Sequence, residues 1–212
     1  MAETLETVLA EYEARSEREW AGQVVGSARQ VPQSRDQMLL SVGREAGQFL
    51  NTLAKNAGAK RILELGTSYG YSTLWLADAA KESGGKVTSL DVADYKQAHA
   101  REQLGRVGLQ AQVEFLVGDV LKVLPALSGP FDFVLLDVWK DAYVECLELI
   151  LPKLSPGAVI VADNMLQPVA ARADALAYRR RVRAEPGVSS VLLPVGQGLE
   201  VSRTTGPDDV GL

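Results

Sequence analysis

Apolar and polar positions along this chain follow two rhythms. Residues 2–20 set Leu5, Val8, Leu9, Tyr12 and Trp20 on one side at helical spacing, which predicts an amphipathic helix. Its apolar face must be covered by this domain or by a second subunit, so a homodimer is one expectation. After a less regular stretch at 21–32, a helical pattern runs from about residue 34 to residue 56, with Ser34 as candidate cap. Gly43 and Gly47 interrupt it and allow two helices with a turn near 41–45. From Lys60 the rhythm changes. Short apolar runs at 61–65, 86–90, 113–117, 131–136 and 158–162 read as strands. Helical patterns separate them: one through residue 80, one over 94–107, a short one over 121–127, and one between residue 137 and the Ser155-Pro156-Gly157 turn. A helix over about 169–184 follows, then two strands around Val195-Gly196-Gln197-Gly198, most simply an antiparallel hairpin. Strands alternating with helices imply right-handed crossovers and a doubly wound, mostly parallel α/β sheet with helices on both faces.

The length of 212 residues favours one domain: a helical segment over 1–57, an α/β core over 58–204, and a flexible tail at 205–212. A content of 47% hydrophobic and 23% charged residues is that of a soluble globular protein. The net charge of −5 disfavours nucleic acid as a partner, because phosphate backbones call for a basic surface. A single cysteine, Cys146, rules out an intrachain disulfide, fits a reducing cytoplasmic setting, and reads as a small buried apolar residue. The N-terminus lacks the basic-then-apolar order of a signal peptide, and no apolar run approaches the roughly 18 residues that span a bilayer. One histidine, His99, leaves no His-based zinc site. Without a G-x-S-x-G elbow it has no serine to form a triad, so it reads as structural or exposed. Arg179, Arg180, Arg181 and Arg183 read as a solvated face near a helix C-terminus, with an anion- or partner-binding patch as the alternative.

The chemistry concentrates between residues 131 and 164. The strands at 131–136 and 158–162 each end on a carboxylate, Asp137 and Asp163. Parallel strands bring both to one edge of the sheet, outside the carboxyl ends, where open α/β sheets bind ligands. Asn164 and Lys140 add an amide oxygen and an amine, so this edge reads as a divalent-metal site with a base beside it. The first strand leads into Glu64-Leu-Gly66-Thr-Ser-Tyr-Gly70-Tyr71-Ser72. Its glycines permit close backbone approach, and the following helix offers free N–H groups. Its G-x-x-x-G spacing lacks the middle glycine of the dinucleotide fingerprint, which pyrophosphate needs and a carboxylate does not. Asp91, ending the second strand, stands where an acid accepts hydrogen bonds from both ribose hydroxyls. Together they describe a nucleoside site without a pyrophosphate; singly, each is equally compatible with a plain turn or a helix cap.

ELGTSYGYS, Asp91, LLDVWKDAY and VADN resemble, in order and spacing, the S-adenosylmethionine-dependent catechol O-methyltransferase family and its bacterial and caffeoyl-CoA-type relatives, over roughly residues 38–202. The resemblance implies a Rossmann-like class I methyltransferase sheet. It implies that Glu64 and Gly66 form the cofactor loop and that Gly70, Tyr71 and Ser72 open the helix beneath the methionine end. Ser72 and the backbone near Val42 would meet its carboxylate. Asp91, with Val92 beside it, would hold the ribose, while Gly118, Asp119 and Trp139 would border the adenine. By the same resemblance Asp137, Asp163 and Asn164 are the metal ligands and Lys140 is the general base. Asn164, Pro168, Lys140 and Glu200 would face the acceptor. Two departures stand out: Val138 occupies a position where animal catechol enzymes place a histidine, and Met165 and Pro168 form a different lip after Asn164.

That chemistry suits these residues. Methyl transfer from a sulfonium needs a phenolate, and ionising an ordinary phenol at pH 7 costs about 4 kcal/mol. Two carboxylates and an amide oxygen form a hard ligand set, suited to Mg²⁺ or another divalent cation, that leaves room for two vicinal acceptor oxygens. The expected function is O-methylation of a catechol-type small molecule. A hydroxycinnamoyl thioester or natural-product acceptor is the alternative, and a nicotinamide-dependent oxidoreductase a more distant one.

Overall fold

The computed structural model describes residues 2–21, 24–25, 28–29 and 37–206. Strands β1 (Val24–Val25) and β2 (Ala28–Arg29) make a small antiparallel ladder of their own within the stretch expected to be irregular. The other seven, β3 (Arg61–Leu65), β4 (Lys86–Asp91), β5 (Val113–Val117), β6 (Phe131–Leu136), β7 (Leu154–Ala162), β8 (Val188–Leu193) and β9 (Leu199–Thr204), form one sheet in the order β5-β4-β3-β6-β7-β9-β8. Neighbours from β5 to β7 pair in parallel; β9 pairs antiparallel with both β7 and β8. The expected mostly parallel sheet with a terminal hairpin is what forms. The Ser155-Pro156-Gly157 turn lies inside β7, where it appears as the register shift between Phe131 and Phe133 of β6.

Alternation at period two sends the strands' side chains into two cores. Ile62, Phe133, Leu135, Val159 and Val161 face one core, beneath helices α2 (Arg44–Asn56) and α3 (Tyr71–Ser83). Leu63, Leu65, Val134, Leu136, Ile160 and Ala162 face the other, beneath α6 (Tyr143–Ile150) and α7 (Arg172–Arg183). Helices α4 (Asp94–Arg106) and α5 (Val120–Val123) complete the crossovers. Because both faces are covered, the inner strands read as continuous apolar runs, which is why the sequence located them well.

The N-terminal helix α1 (Leu5–Ala21) answers the question its apolar face posed. Val8, Leu9 and Tyr12 are buried in the first core of the same chain, so this face gives no reason for a second subunit. Charges tie the helix down further: Arg44 pairs with Glu6 and Glu13, and Arg106 with Glu3 and Glu11. The helical pattern read from residue 34 is corrected. The helix begins at Arg44 behind Gly43, residues 39–43 are irregular, and Ser34 lies outside the described residues. Among the described residues, no helix is long and apolar enough to cross a membrane.

Candidate active site

The strand order reverses between β3 and β6: the chain runs outward from β3 through β4 to β5, then returns to β6 and runs outward to β7. The crevice for a ligand therefore opens between the carboxyl ends of β3 and β6. The backbone there is stepped, with Asp137 N–H donating to Leu65 O at 2.8 Å and Asp163 N–H donating to Leu136 O at 3.0 Å. Gly66, at φ 103°, leaves β3 against this step; a Cβ on it would sit 2.1 Å from the Asp137 carbonyl oxygen. Only glycine fits both that conformation and that approach.

Asp137 and Asp163 thus stand on adjacent strands, about 4.8 Å apart in the sheet. Asp163 is 1% exposed, and neither of its carboxylate oxygens has a hydrogen-bond partner. Burial, then the Asp137 charge, push its carboxyl up to about 8. Burial also raises Asp137, against the pull of Lys140. A buried, unpartnered carboxylate next to a second one is costly by itself and is the arrangement a cation relieves. Asn164 follows at φ 58°, a left-handed conformation that asparagine tolerates better than most residues. Two carboxylates and an amide are a hard-oxygen set that fits a divalent cation. Among the described residues there is no cluster of three or more His, Cys, Asp or Glu side chains, so the amide is needed for a third protein ligand.

Lys140 sits in the 3₁₀ turn after β6, and its Nζ donates to Tyr143 Oη at 2.6 Å and Val138 O at 3.0 Å, with Asp137 Oδ1 at 3.4 Å. Tyr143, fully buried at the start of α6, donates in turn to Leu136 O at 2.8 Å. Its phenol proton is thereby spent on backbone, leaving a lone pair for the lysine. Burial and the two aspartates hold that phenol well above its ordinary range, so it stays neutral. Tyr143 was missed as a site residue. Its signal was the three-residue spacing from Lys140 at a helix start, which puts both on one face.

The glycine loop lies beside this group, and a cleft is lined there by Leu40, Val42, Gly66, Ser68, Tyr71, Ser72 and Asp137. Two of the expected cofactor residues direct their side chains inward. Glu64 is fully buried and accepts hydrogen bonds from the hydroxyls of Ser72, Thr73 and Ser89, so it braces the loop from below instead of facing the cleft. Ser72 spends its only hydroxyl proton on Glu64, which leaves its backbone N–H in the first turn of α3 as its donor to a ligand. Asp91 accepts from Ser68 N–H at 2.7 Å and Ala93 N–H at 2.9 Å, one on each carboxylate oxygen, which fixes the loop while the side chain stays partly exposed. Val92 and Trp139 are exposed apolar side chains at this edge. Gly118 N–H donates to Asp91 O, and Asp119 caps α5 through Leu121 N–H. Gly70 precedes α3, and the Tyr71 hydroxyl donates to Glu13 of α1.

Glu200 stands opposite Ala162, next to Asp163 in the sheet, with its carboxylate turned to partners within the chain. It is fully buried on β9, accepts from Arg179 Nε at 3.0 Å, Arg183 Nε at 2.7 Å and Ser190 Oγ at 2.7 Å, and so serves an internal ion-pair network. Separately, Arg181 pairs with Glu148 and Glu185, while Arg180 and Arg183 lie on the exposed face expected of the arginine run. Pro168 lies in the lip after Asn164, which the β8–β9 hairpin holds through Met165 N–H to Gly198 O and Leu166 N–H to Gln197 O, both 2.9 Å. Leu166 and Val169 expose apolar surface there. His99 is structural as expected, edge-on to Tyr12 and Tyr69, and Cys146 is buried in the second core.

The profile of a family described as O-methyltransferase matches residues 16–205. A catechol O-methyltransferase of Mycobacterium tuberculosis is 36% identical over 73% of this chain and 74% of its own. A second, from Niastella koreensis, is 39% identical over 60% of this chain, a match that spans 59% of that enzyme's length. A caffeoyl-CoA O-methyltransferase of Populus trichocarpa is 30% identical over 78% and 75% of the two chains. Among solved structures, cofactor-bound Rv0187 from M. tuberculosis aligns over 94% of this chain and 90% of its own, with TM-score 0.77 and 29% identity. An O-methyltransferase from Bacillus cereus in complex with S-adenosylhomocysteine aligns over 94% and 91%, with TM-score 0.73 and 27% identity.

Proposed function

The chain belongs to the O-methyltransferase family, and we propose that it transfers a methyl group from S-adenosylmethionine to one hydroxyl of a catechol-type acceptor with the help of a divalent cation. The observation that carries the metal-dependent form is the buried, unpartnered Asp163 carboxylate beside Asp137, with Lys140 Nζ 3.4 Å from Asp137. Bound at these positions, the cofactor supplies an electrophilic methyl group, and a divalent cation supplies charge that favours an ionised acceptor oxygen.

The chain's own residues do the rest. The first turn of α3 and the wall at Leu40–Val42 form the carboxylate end of the cofactor cleft, and Asp91 offers its oxygens to the ribose. Val92 and Trp139 supply apolar surface for the base. Asp137, Asp163 and Asn164 would hold the cation, and an acceptor oriented at that edge in front of the cleft would gain positioning worth up to roughly 7–11 kcal/mol. Lys140 Nζ, held by Tyr143 and the Val138 carbonyl, would take the acceptor's proton in its neutral form. Relatives that act on caffeoyl-CoA raise a thioester acceptor as the second reading. Arg179, Arg181 and Arg183 are paired with the chain's own carboxylates, which argues against their serving an anionic thioester tail.

The test is methylation of catechol and of caffeoyl-CoA with S-adenosylmethionine and Mg²⁺, products read by mass spectrometry. Monomethylated catechol that disappears with chelator and returns with the metal is the expected result. Full activity in chelator overturns the metal-dependent form, and turnover of the thioester alone overturns the acceptor class.

A further inference from the structure

Beneath the cleft, one polar side chain from α4 reaches the ends of three strands. Gln97 is 1% exposed, and its Nε2 donates to Thr67 Oγ1 at 3.0 Å, Leu116 O at 3.0 Å and Ser89 O at 3.3 Å. Two of these acceptors are backbone carbonyls, which fixes the amide with nitrogen inward. Thr67 and Ser89 hydroxyls lie 2.6 Å apart, and Ser89 Oγ is 2.5 Å from Glu64 Oε2. When Glu64 is ionised it takes the one proton of Ser89, and the proton between the two hydroxyls then comes from Thr67. The direction is then set throughout: Gln97 donates to Thr67, Thr67 to Ser89, and Ser89 to Glu64. Ser72 and Thr73, in the first turn of α3, donate to the same carboxylate at 2.6 Å each. The chain begins at a group that donates here and ends at one that only accepts when ionised.

We infer that Gln97 is a positioning residue for the cofactor, acting through Thr67 and Ser89 on Glu64 to hold the glycine loop and the first turn of α3 in register. The inference rests on the cofactor reading above. Nothing in the arrangement touches the cleft's ligand directly except the backbone it fixes: residues 66–69 on one side and the N–H groups opening α3 on the other. A one-directional chain of buried hydrogen bonds tolerates no reversed or missing donor, because each hydroxyl downstream has already committed its proton.

The experiment measures binding of S-adenosylhomocysteine by calorimetry to the wild type and to Gln97→Met, Thr67→Val and Thr67→Ser, with thermal melts of each unliganded protein. Gln97→Met keeps volume and removes the donor; Thr67→Val cuts the second link, so either suffices if the other fails to fold. Both are expected to weaken binding roughly tenfold. Thr67→Ser, which keeps the hydroxyl, is expected to recover most of that affinity, and the acceptor KM of all three is expected to stay at the wild-type value. Wild-type affinity in Gln97→Met and Thr67→Val overturns the inference, as does a Thr67→Ser protein as weak as Thr67→Val. A wild type that does not bind S-adenosylhomocysteine overturns the cofactor reading itself, and the relay's purpose with it.

Discussion

Removing the negative charge of Asp163 is expected to stabilise the metal-free protein as pH rises, although it deletes a proposed ligand. The side chain is 1% exposed, has no hydrogen-bond donor, and has its carboxyl pushed from 3.8 to about 8 by burial and by Asp137. Its folded value lies above its unfolded one, so between the two the fold keeps a proton that the unfolded chain has lost. Stability therefore falls as pH rises through that window, and the whole penalty is present above about pH 8. The three units between pH 5 and pH 8 correspond to a ceiling of about 4 kcal/mol. Asp137 shares the titration and Lys140 relieves part of the repulsion, so about half of the ceiling, ~2 kcal/mol, is expected for Asp163. At ~2–4 °C per kcal/mol for a chain of this size, the Tm of Asp163→Asn relative to wild type should rise by roughly 4–8 °C between pH 5 and pH 9. The amide's own burial cost does not depend on pH and cancels in that comparison. Melts followed by circular dichroism in chelator provide the measurement. Added Mg²⁺ should lift the wild type at pH 9 and leave the variant where it is. A Tm difference that stays constant with pH refutes the account of a buried, uncompensated carboxylate, and a wild type unmoved by divalent cations refutes the assignment of its purpose.

Three further changes separate the roles proposed for individual side chains. Lys140→Met should lower kcat about 10²–10⁴-fold while leaving S-adenosylhomocysteine affinity near wild type, measured by initial rates and calorimetry; an unchanged kcat removes Lys140 as the base. Tyr143→Phe takes away the lone pair facing Lys140 Nζ and the donor to Leu136 O. It should reduce kcat by roughly tenfold at constant cofactor affinity, as expected for one buried hydrogen bond, and a wild-type rate would mean that Lys140 is held without it. Glu200→Gln removes a buried carboxylate from two partly exposed arginines and should cost roughly 1–3 kcal/mol in chemical denaturation, with the acceptor KM unmoved. A shifted KM at unchanged stability would return Glu200 to the acceptor pocket.

What the sequence made legible follows from where each signal is local. The strands at 61–65 and 131–136 are inner strands covered on both faces, so their apolar runs end where the strands end, and Asp137 and Asp163 could be placed at one edge before any fold was known. Helix α2 was less legible because Gly47 looked like an interruption. It is a packing residue: a Cβ there would lie 2.2 Å from Trp75 Nε1 across the α2–α3 contact, and nothing near it in sequence says so. The partners of Glu200 were hidden for a related reason. A short resemblance at the hairpin suggested a substrate contact, whereas its real partners, Arg179 and Arg183, sit 21 and 17 residues upstream on α7. The arginine run and the glutamate were each read alone, and their pairing shows only once the fold brings them together.

The same distinction explains the residues that were missed. A carboxylate at a strand end or a glycine in a βα turn has a meaning set by its own position, so Asp91, Gly66 and Asp137 could be singled out as candidates. Gln97, Ser89 and Tyr143 owe their roles to which acceptors surround them. For Gln97 those acceptors come from β4, β5 and the loop after β3. For Tyr143 they are the ends of β6 and β7, Leu136 O at 2.8 Å and Asp163 O at 3.2 Å. Donor direction is a property of a closed network, and it exists only when every member is present. This is why the groups expected to touch the ligands were legible in the sequence while the groups that aim them were not, and why Glu64 changed from an expected contact into a brace. The sequence carries Glu64 three residues before a loop threonine and eight before Ser72. Only the fold shows that the hydroxyls of Ser72, Thr73 and Ser89 all converge on it, and that burial brings its carboxyl to about 7 despite them.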